Sequence, residues 1–462
     1  MANIQKYFFA LVVITSLYLC NFITQEKPVS SYPEEYLSTD EEEQIEQFFS
    51  AEKIRRIDSL MSLLGMKDSF NGSLLVSCNG NIIYNKVSGW ADIKTKIPIT
   101  DSSAFQLASV SKQFTAVSIA ILKDRGKLEF DDDITEYINV PYSGITIRNL
   151  LNHTSGLPNY MWVTEHYWKN SMPPSNMEAL ELFSQVHPDV YFYPNKRFSY
   201  SNTNYFFLAC IIEKISGLPY PDFIENNIFK PAGMNHSFVY SAAYPENRHN
   251  RVTGYNCSRH GFRDIDDTVN DGVTGDKGVY STAEDLLKWD KALYSGLFLP
   301  DALLQETFTP VKLNNGKEQP YGFGFRLSKK DNNLLVYHNG LWNGFRTSFY
   351  RYTASKNTII VFNNINSTIN SRIVDEIEKI INDKQPGQYT RLLAQSTIHD
   401  GLTSAEKYYG KCKSMNPDLQ INTESLLNLV VLLYQINKPI LASQVRQLYN
   451  LVVSSDGKES YN

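Results

Sequence analysis

The sequence predicts an α+β fold. An antiparallel β-sheet, built from both ends of a central segment and flanked by N- and C-terminal helices, carries a mostly helical subdomain, and a C-terminal α-helical hairpin follows. Three observations predict it. Ser73 to Cys78 and Ile82 to Val87 flank Asn79-Gly80, a dipeptide that accepts the positive φ angles of a two-residue hairpin turn. Four further strand-like runs come late: Tyr321 to Leu327, Leu334 to His338, Phe345 to Tyr352 and Thr358 to Phe362, each bounded by Asn, Gly, Lys or Ser. Between these groups, from about 109 to 300, helical patterns prevail, so the sheet encloses a helical insertion. Ile54, Ile57, Leu60, Met61 and Leu64 open the segment at helical spacing, and Ile373, Ile377, Ile380 and Ile381 close it.

Composition admits this fold and excludes other classes. The 462 residues are 42% hydrophobic, 13% aromatic and 20% charged, which rules out disorder as the dominant state. The 44 basic and 49 acidic residues leave a net charge of −5, removing the electrostatic case for nucleic acid as a partner. No histidine or cysteine cluster has metal-ligand spacing, so no metal is expected. Cys20, Cys78, Cys210, Cys257 and Cys412 are too few and too scattered for a disulfide framework, and whether any two of them pair is not readable.

Along the chain, residues 1–24 read as a signal peptide or membrane anchor. Lys6 precedes the largely apolar run Tyr7 to Cys20, polar residues resume at Asn21, and no second spanning segment follows. An exported protein is expected, periplasmic or membrane-anchored. Leu17-Tyr18-Leu19-Cys20 resembles a lipoprotein cleavage box with Cys20 as the lipidated residue, although Leu19 stands where such boxes prefer a small side chain. Residues 25–50, with Pro28, Pro33 and the acidic group Asp40, Glu41, Glu42, Glu43 and Glu46, read as an acidic linker. Residues 51–385 form the large domain and 390–462 a helical extension.

Within the large domain the first chemical candidate is Ser109-Val110-Ser111-Lys112. Residues i and i+3 share a helix face, so the Lys112 amine, if desolvated enough to be neutral, can take the Ser109 proton. The spacing alone is weak, since it recurs at Ser50/Lys53, Ser404/Lys407 and Ser455/Lys458. Context separates Ser109. The helix that follows is apolar on most sides and stops at Gly126, so a lysine at its start must be paired or neutral. The alternative is a capping serine with a snorkelling lysine. The second candidate is Tyr200-Ser201-Asn202, ahead of the apolar helix Phe206 to Ile215. A phenol beside a lysine can ionise below its free value of ~10 and act as a base, and an amide two residues on can bind the lysine and a substrate carbonyl. The third is His338-Asn339-Gly340 at a strand end, where Gly340 lets a substrate approach the strand edge and the next N–H, that of Leu341, completes an oxyanion hole. Read singly, Tyr200 is also an ordinary loop tyrosine and His338 a satisfied strand-end histidine.

Taken together and in this order, Ser109/Lys112, Tyr200/Asn202 and His338/Gly340 resemble the Ser-x-x-Lys, Tyr-x-Asn and His-x-Gly boxes of the serine β-lactamase and penicillin-binding protein superfamily. Within it the likeness is to the class C-like branch of β-lactamase-related serine hydrolases, D-aminopeptidases, D,D-carboxypeptidases and family VIII esterases. Leu150 to Pro158, Ile228 to Met234 and Gly278 to Leu286 match in kind, and the resemblance covers roughly 51 to 385. It implies that Ser109 is the nucleophile, that Lys112 and Tyr200 share the proton transfers, that the N–H groups of Ser109 and Leu341 form the oxyanion hole, and that no cofactor is needed. Two departures narrow it. His338 and Asn339 stand where class C β-lactamases carry lysine and threonine or serine, and a histidine is largely neutral near pH 7. The resemblance therefore implies an ester, an amide or a D-amino-acid-containing peptide, of cell-wall origin or not, rather than efficient penicillin hydrolysis.

His153 and His236 sit in loop-like stretches and are expected to be structural; Asp131-Asp132-Asp133 reads as a solvated turn. In the tail, Thr423 to Ile436 and Pro439 to Val453 form a helical hairpin of tetratricopeptide (TPR-like) type, with Ala405 to Lys413 as a partner helix. It either packs on the large domain or binds a protein partner that the sequence does not identify. Two functions follow: an exported serine hydrolase working on a small-molecule or peptide substrate through an acyl-enzyme, or a penicillin-recognising sensing module with little turnover. The intact set of boxes favours the hydrolase.

Overall fold

The strands expected at the two ends of the central segment pair with one another. The computed structural model describes residues 36–65, 70–243, 250–258, 261–265, 267–330, 333–381, 386–415, 419 and 421–455. In it β1 (Gly72–Cys78), β2 (Asn81–Ser88), β3 (Arg326–Lys330), β4 (Asn333–Trp342), β5 (Phe345–Tyr352) and β6 (Asn357–Asn363) form one antiparallel sheet in the order β3-β4-β5-β6-β1-β2. The chain ends meet where Leu74 pairs with Val361 and Val76 with Ile359. Asn79 and Gly80, at φ 48° and 76°, make the predicted β1–β2 turn.

Helices cover both faces of this sheet. Leu74, Val76, Ile359 and Val361 pack with Ile57 and Leu64 of α1 (Thr39–Gly65) and with Ile373, Val374 and Ile377 of a closing helix, Ile369–Ile381. Their neighbours Leu75, Ile360 and Phe362 join the larger core, to which α2 (Lys112–Asp124) and α3 (Asn202–Ser216) belong. Burial on both faces explains why consecutive apolar residues occupy the centres of β1 (Leu74–Val76) and β6 (Ile359–Phe362). It also explains α2, every residue of which is buried from Lys112 to Leu122.

Three expectations change. The strand expected from Tyr321 begins at Arg326, because Gly324, at φ +79°, turns the preceding segment onto the start of α2; a Cβ there would lie 2.7 Å from the Lys112 carbonyl oxygen. β4 runs on to Trp342, beyond the expected end at His338. The acidic linker expected over 25–50 is helical from Thr39: Asp40, Glu41 and Glu42 occupy the first turn of α1, where the helix dipole favours carboxylates. Charge content concealed this helix, since one apolar stripe suffices to dock it.

The chain divides into two compact units, Lys53–Ile381 and a second formed by the described residues up to Glu52 with those from Pro386 onward. In the second unit Pro386–Asp400, Leu402–Met415, Thr423–Gln435 and Pro439–Ser455 are helices. Leu393, Ala405, Leu426, Leu429, Leu433, Val445, Leu448 and Val452 fill their core, and Ile45 from the start of α1 joins them. The last two helices are the expected hairpin, turned at Asn437 with φ 59°; the helix from Pro386 starts ahead of the expected boundary at 390. The leader and Cys20 lie outside the described residues, among which no helix is long and apolar enough to cross a membrane. Cys210, Cys257 and Cys412 are free thiols.

Candidate active site

Ser109 lies in a 3-10 turn, Ala108–Ser111, that runs directly into α2. Ala108 takes φ +49°, a left-handed conformation costing an L-residue roughly 1–2 kcal/mol. The turn is held in that shape from both sides. Leu107 donates its N–H to Val279 O (2.8 Å), the Leu107 carbonyl accepts from Thr347 Oγ1 (2.8 Å), and Ser111 Oγ accepts the Val279 N–H (3.1 Å). Ala108, Val110 and Ser111 are buried; Ser109 keeps contact with solvent.

Lys112, fully buried, has three partners: Asp276 O at 2.7 Å, Asn202 Oδ1 at 2.9 Å and Ser109 Oγ at 3.2 Å. Burial pushes its ammonium down from 10.5 to about 7, against the attraction of Asp276 and with help from the Arg326 cation. Near neutral pH a large share is therefore the free amine. That amine has two hydrogens and one lone pair, and two of its three partners are carbonyl oxygens that can only accept. Its hydrogens go to Asp276 O and Asn202 Oδ1, which leaves the lone pair for the Ser109 hydroxyl to donate into.

Tyr200 closes the other side, its ring centroid 5.0 Å from Lys112 Nζ. Its hydroxyl is buried and, among the described residues, meets no partner in hydrogen-bond geometry; Ser109 and Arg326 are near enough to moderate the effect of burial but not to cancel it. The phenol is held above its ordinary value, so it stays protonated. This corrects the expectation of a phenolate base: burial outweighs Ser109 and the Arg326 cation.

Beneath Tyr200 runs a chain of neutral hydrogen bonds. His153 Nδ1 receives the Ser201 N–H (3.3 Å) and the Asn204 amide (3.0 Å), so its proton is on Nε2 and is donated to Tyr321 Oη (3.1 Å). The Tyr321 hydroxyl then donates to His338 Nε2 (3.3 Å), and His338 Nδ1–H donates to Asn339 O (2.8 Å). Burial above all, then the neighbouring cations, holds both imidazoles well below 6.5. His153 packs against Tyr200 with ring centroids 4.2 Å apart and the planes tilted by 38°.

The structure thus brings Ser109, Lys112, Tyr200 and Asn202 together and relocates two expected roles. His338 is 1% exposed with both ring nitrogens engaged, so its imidazole supports Tyr200 from below and does not face a substrate carboxylate. Gly340 serves packing: a Cβ there would lie 2.1 Å from Thr347 Oγ1 and 2.3 Å from Leu107 O, so its absence lets β4 press against the Ser109 turn. That contact sets Leu341, 51% exposed, beside the Ser109 turn. His236 is exposed and gives its backbone N–H to Asp285 (2.7 Å), and Asp131 pairs with Arg148.

Sequence reasoning missed Tyr321, Arg326 and Asp276. Arg326 is half-buried at the start of β3, its guanidinium 5.4 Å from the Tyr200 ring centroid, and among the described residues no carboxylate pairs with it. Its signal was a cation 12 residues ahead of His338, inside a run read as one strand. Among the described residues no group of three or more His, Cys, Asp or Glu side chains could hold a metal ion.

A family model described as Beta-lactamase matches residues 57–380. A penicillin-binding protein of Bacillus subtilis (strain 168) is 38% identical over 324 residues, 68% of this chain and 72% of that protein. A D-aminopeptidase of Gluconobacter oxydans (strain 621H) is 25% identical over 63% of this chain and 55% of its own length. Among solved structures, D-amino acid amidase from Ochrobactrum anthropi SV3 superposes with a TM-score of 0.60 at 25% identity, covering 69% of this chain and 96% of the amidase.

Proposed function

The chain belongs to the Beta-lactamase family as a serine hydrolase, and on that premise we propose that it cleaves an amide, peptide or ester bond beside a D-amino acid residue through an acyl-enzyme on Ser109. The observation that carries the mechanism is Lys112, a buried amine near 7 whose two hydrogens have fixed acceptors and whose lone pair is left to Ser109. Ser109 Oγ attacks the substrate carbonyl as its proton passes to Lys112 Nζ. The N–H groups of Ser109 and Leu341 receive the oxyanion. Tyr200, held protonated, gives its proton to the leaving group as the tetrahedral intermediate collapses, and Lys112 returns a proton to Tyr200. Water, deprotonated by the same pair, then cleaves the acyl ester and restores the Ser109 hydroxyl.

Substrate preference follows from charge. His338 is neutral and buried, so Arg326 is the cation placed to meet a substrate anion near Tyr200. This supports a D-residue peptide with a free carboxylate over the neutral esters that a histidine in the third box suggested. The apolar leader supports action outside the cytoplasm, in the periplasm or at a membrane anchor.

The test uses a fluorophosphonate and a fluorescent penicillin, then a panel of p-nitrophenyl esters and D-alanyl peptides. Ser109→Ala is expected to abolish labelling and turnover with an unchanged melting temperature. Labelling that persists in the variant, or maps by mass spectrometry to Ser111, removes Ser109 from the mechanism. Stable labelling without turnover of any substrate assigns the protein to the sensing class instead.

A further inference from the structure

The loop from Val273 to Gly278, whose Asp276 carbonyl accepts from Lys112, carries an ion pair that the proposed mechanism does not use. Two glycines force the loop inward. A Cβ on Gly275 (φ +98°) would lie 2.5 Å from Ala209 Cβ and 2.6 Å from Tyr205 O, so the loop lies directly against α3; one on Gly278 (φ +101°) would lie 2.9 Å from Tyr240 O. The two residues between them are driven into the interior, Asp276 at 1% and Lys277 at 3% exposure.

Lys277 Nζ is well satisfied. It donates to Tyr160 Oη (2.8 Å) and Val273 O (3.1 Å), lies 4.9 Å from the Trp342 ring centroid, and reaches Asp276 Oδ1 only at 3.4 Å. The Asp276 carboxylate is less well served. Among the described residues its remaining contact is the Tyr160 hydroxyl, also at 3.4 Å. A buried carboxylate with two long contacts keeps much of its field, and its own peptide carbonyl is the 2.7 Å acceptor of Lys112.

We infer that Asp276 is a tuning and positioning residue for the reaction: its peptide carbonyl aims the Lys112 amine, and its carboxylate, kept in the interior by Lys277, sets how readily that amine holds a proton. The inference rests on Lys112 serving as the proton acceptor for Ser109. The groups that face Lys112 leave the carboxylate a clear field. Tyr200, just ahead of α3, and Tyr205 within it are phenols held protonated by burial, and His153 and His338 are held neutral. Asn202 carries no charge. The charged groups acting on Lys112 are Asp276, which favours the ammonium, and Arg326, which opposes it. Asp276 thus restrains the loss of a proton that burial and Arg326 would otherwise drive further, and keeps the base near neutrality where it can both take and return a proton.

Substitution separates the two contributions, because Asp276→Asn removes the charge and leaves the peptide carbonyl in place. The rate of fluorophosphonate labelling of Ser109, measured from pH 5 to 9, reads the acid limb set by Lys112. The limb is expected to move to lower pH in Asp276→Asn, by about one unit. It is expected to move the same way in Asp276→Asn/Lys277→Met, which removes the pair as a unit and guards against a single variant that fails to fold with Lys277 left uncompensated. An acid limb at the wild-type position in either folded variant overturns the inference. Lys112→Ala tells this from failure of the underlying reading: if it labels with the wild-type rate and profile, Lys112 is not the base at all.

Discussion

Lys112 is flanked by two buried polar systems of opposite character. On the Tyr200 side, His153, Tyr321 and His338 form a chain in which each donor has one acceptor and no member is charged. On the other side, Asp276 and Lys277 form an ion pair whose carboxylate has only long contacts. Neutral hydrogen bonds are directional and fall off within a few ångströms, so the first system fixes where Tyr200 stands. Charges act at longer range in a low-dielectric interior, so the second sets how strongly Lys112 holds its proton. The site separates geometry from basicity by giving each to a different kind of interaction.

Lys112→Met removes the group on which both systems converge. Acylation is expected to fall by ~10²- to 10⁴-fold. Stability reports the same residue by its sign. The folded-state value near 7 lies below the unfolded 10.5, so between these limits the unfolded chain binds the extra proton, and this group's contribution to stability rises with pH by about 1 kcal/mol per unit. Denaturant unfolding at pH 7 and 9 is expected to show that rise in the wild type and a flatter dependence in the variant. Equal slopes would mean that Lys112 is not strained toward neutrality by the fold.

Tyr321→Phe breaks the neutral chain at its centre. The His153 Nε2–H and the His338 Nε2 lone pair lose their shared partner inside the protein, at a cost of about 1–3 kcal/mol in thermal or denaturant unfolding. Labelling of Ser109 should slow alike at every pH. A displaced acid limb in this variant would show that the chain tunes charge after all, and the division between the two systems would fail.

Arg326→Gln has the smallest expected effect and sharpens the comparison from outside. The Arg326 cation lowers the Lys112 value, so its removal should move the acid limb to higher pH, by less than about one unit because the guanidinium is half-exposed and screened. In the same variant, kcat/KM for a D-alanyl peptide with a free carboxylate should fall about tenfold relative to its methyl ester, the equivalent of ~1.4 kcal/mol. An unchanged ratio would remove Arg326 from substrate recognition.

Much of this was legible in the chain. The hairpin at Asn79-Gly80, the strand runs of β1 and β6 and the apolar stripes of the closing and C-terminal helices are local patterns, and local patterns survive folding when burial agrees with them. Ser109 and Lys112 were readable because three residues on one helical turn are already neighbours. The first half of α1 was hidden by its charge, and the segment before β3 by a glycine whose positive φ is set by contact with α2.

By itself the sequence determined the α+β architecture, the order of the three boxes and the pairing of Ser109 with Lys112, since these depend on residue type and short spacing. Only the tertiary structure decided which groups are charged. Lys112 meets Asp276 across 164 positions and His153 meets Tyr321 across 168, and no pattern along the chain encodes such meetings. The protonation of Lys112 and Tyr200 and the withdrawal of His338 from the cleft depend on desolvation and on charges brought together from distant parts of the chain. Those quantities exist only once the interior has formed.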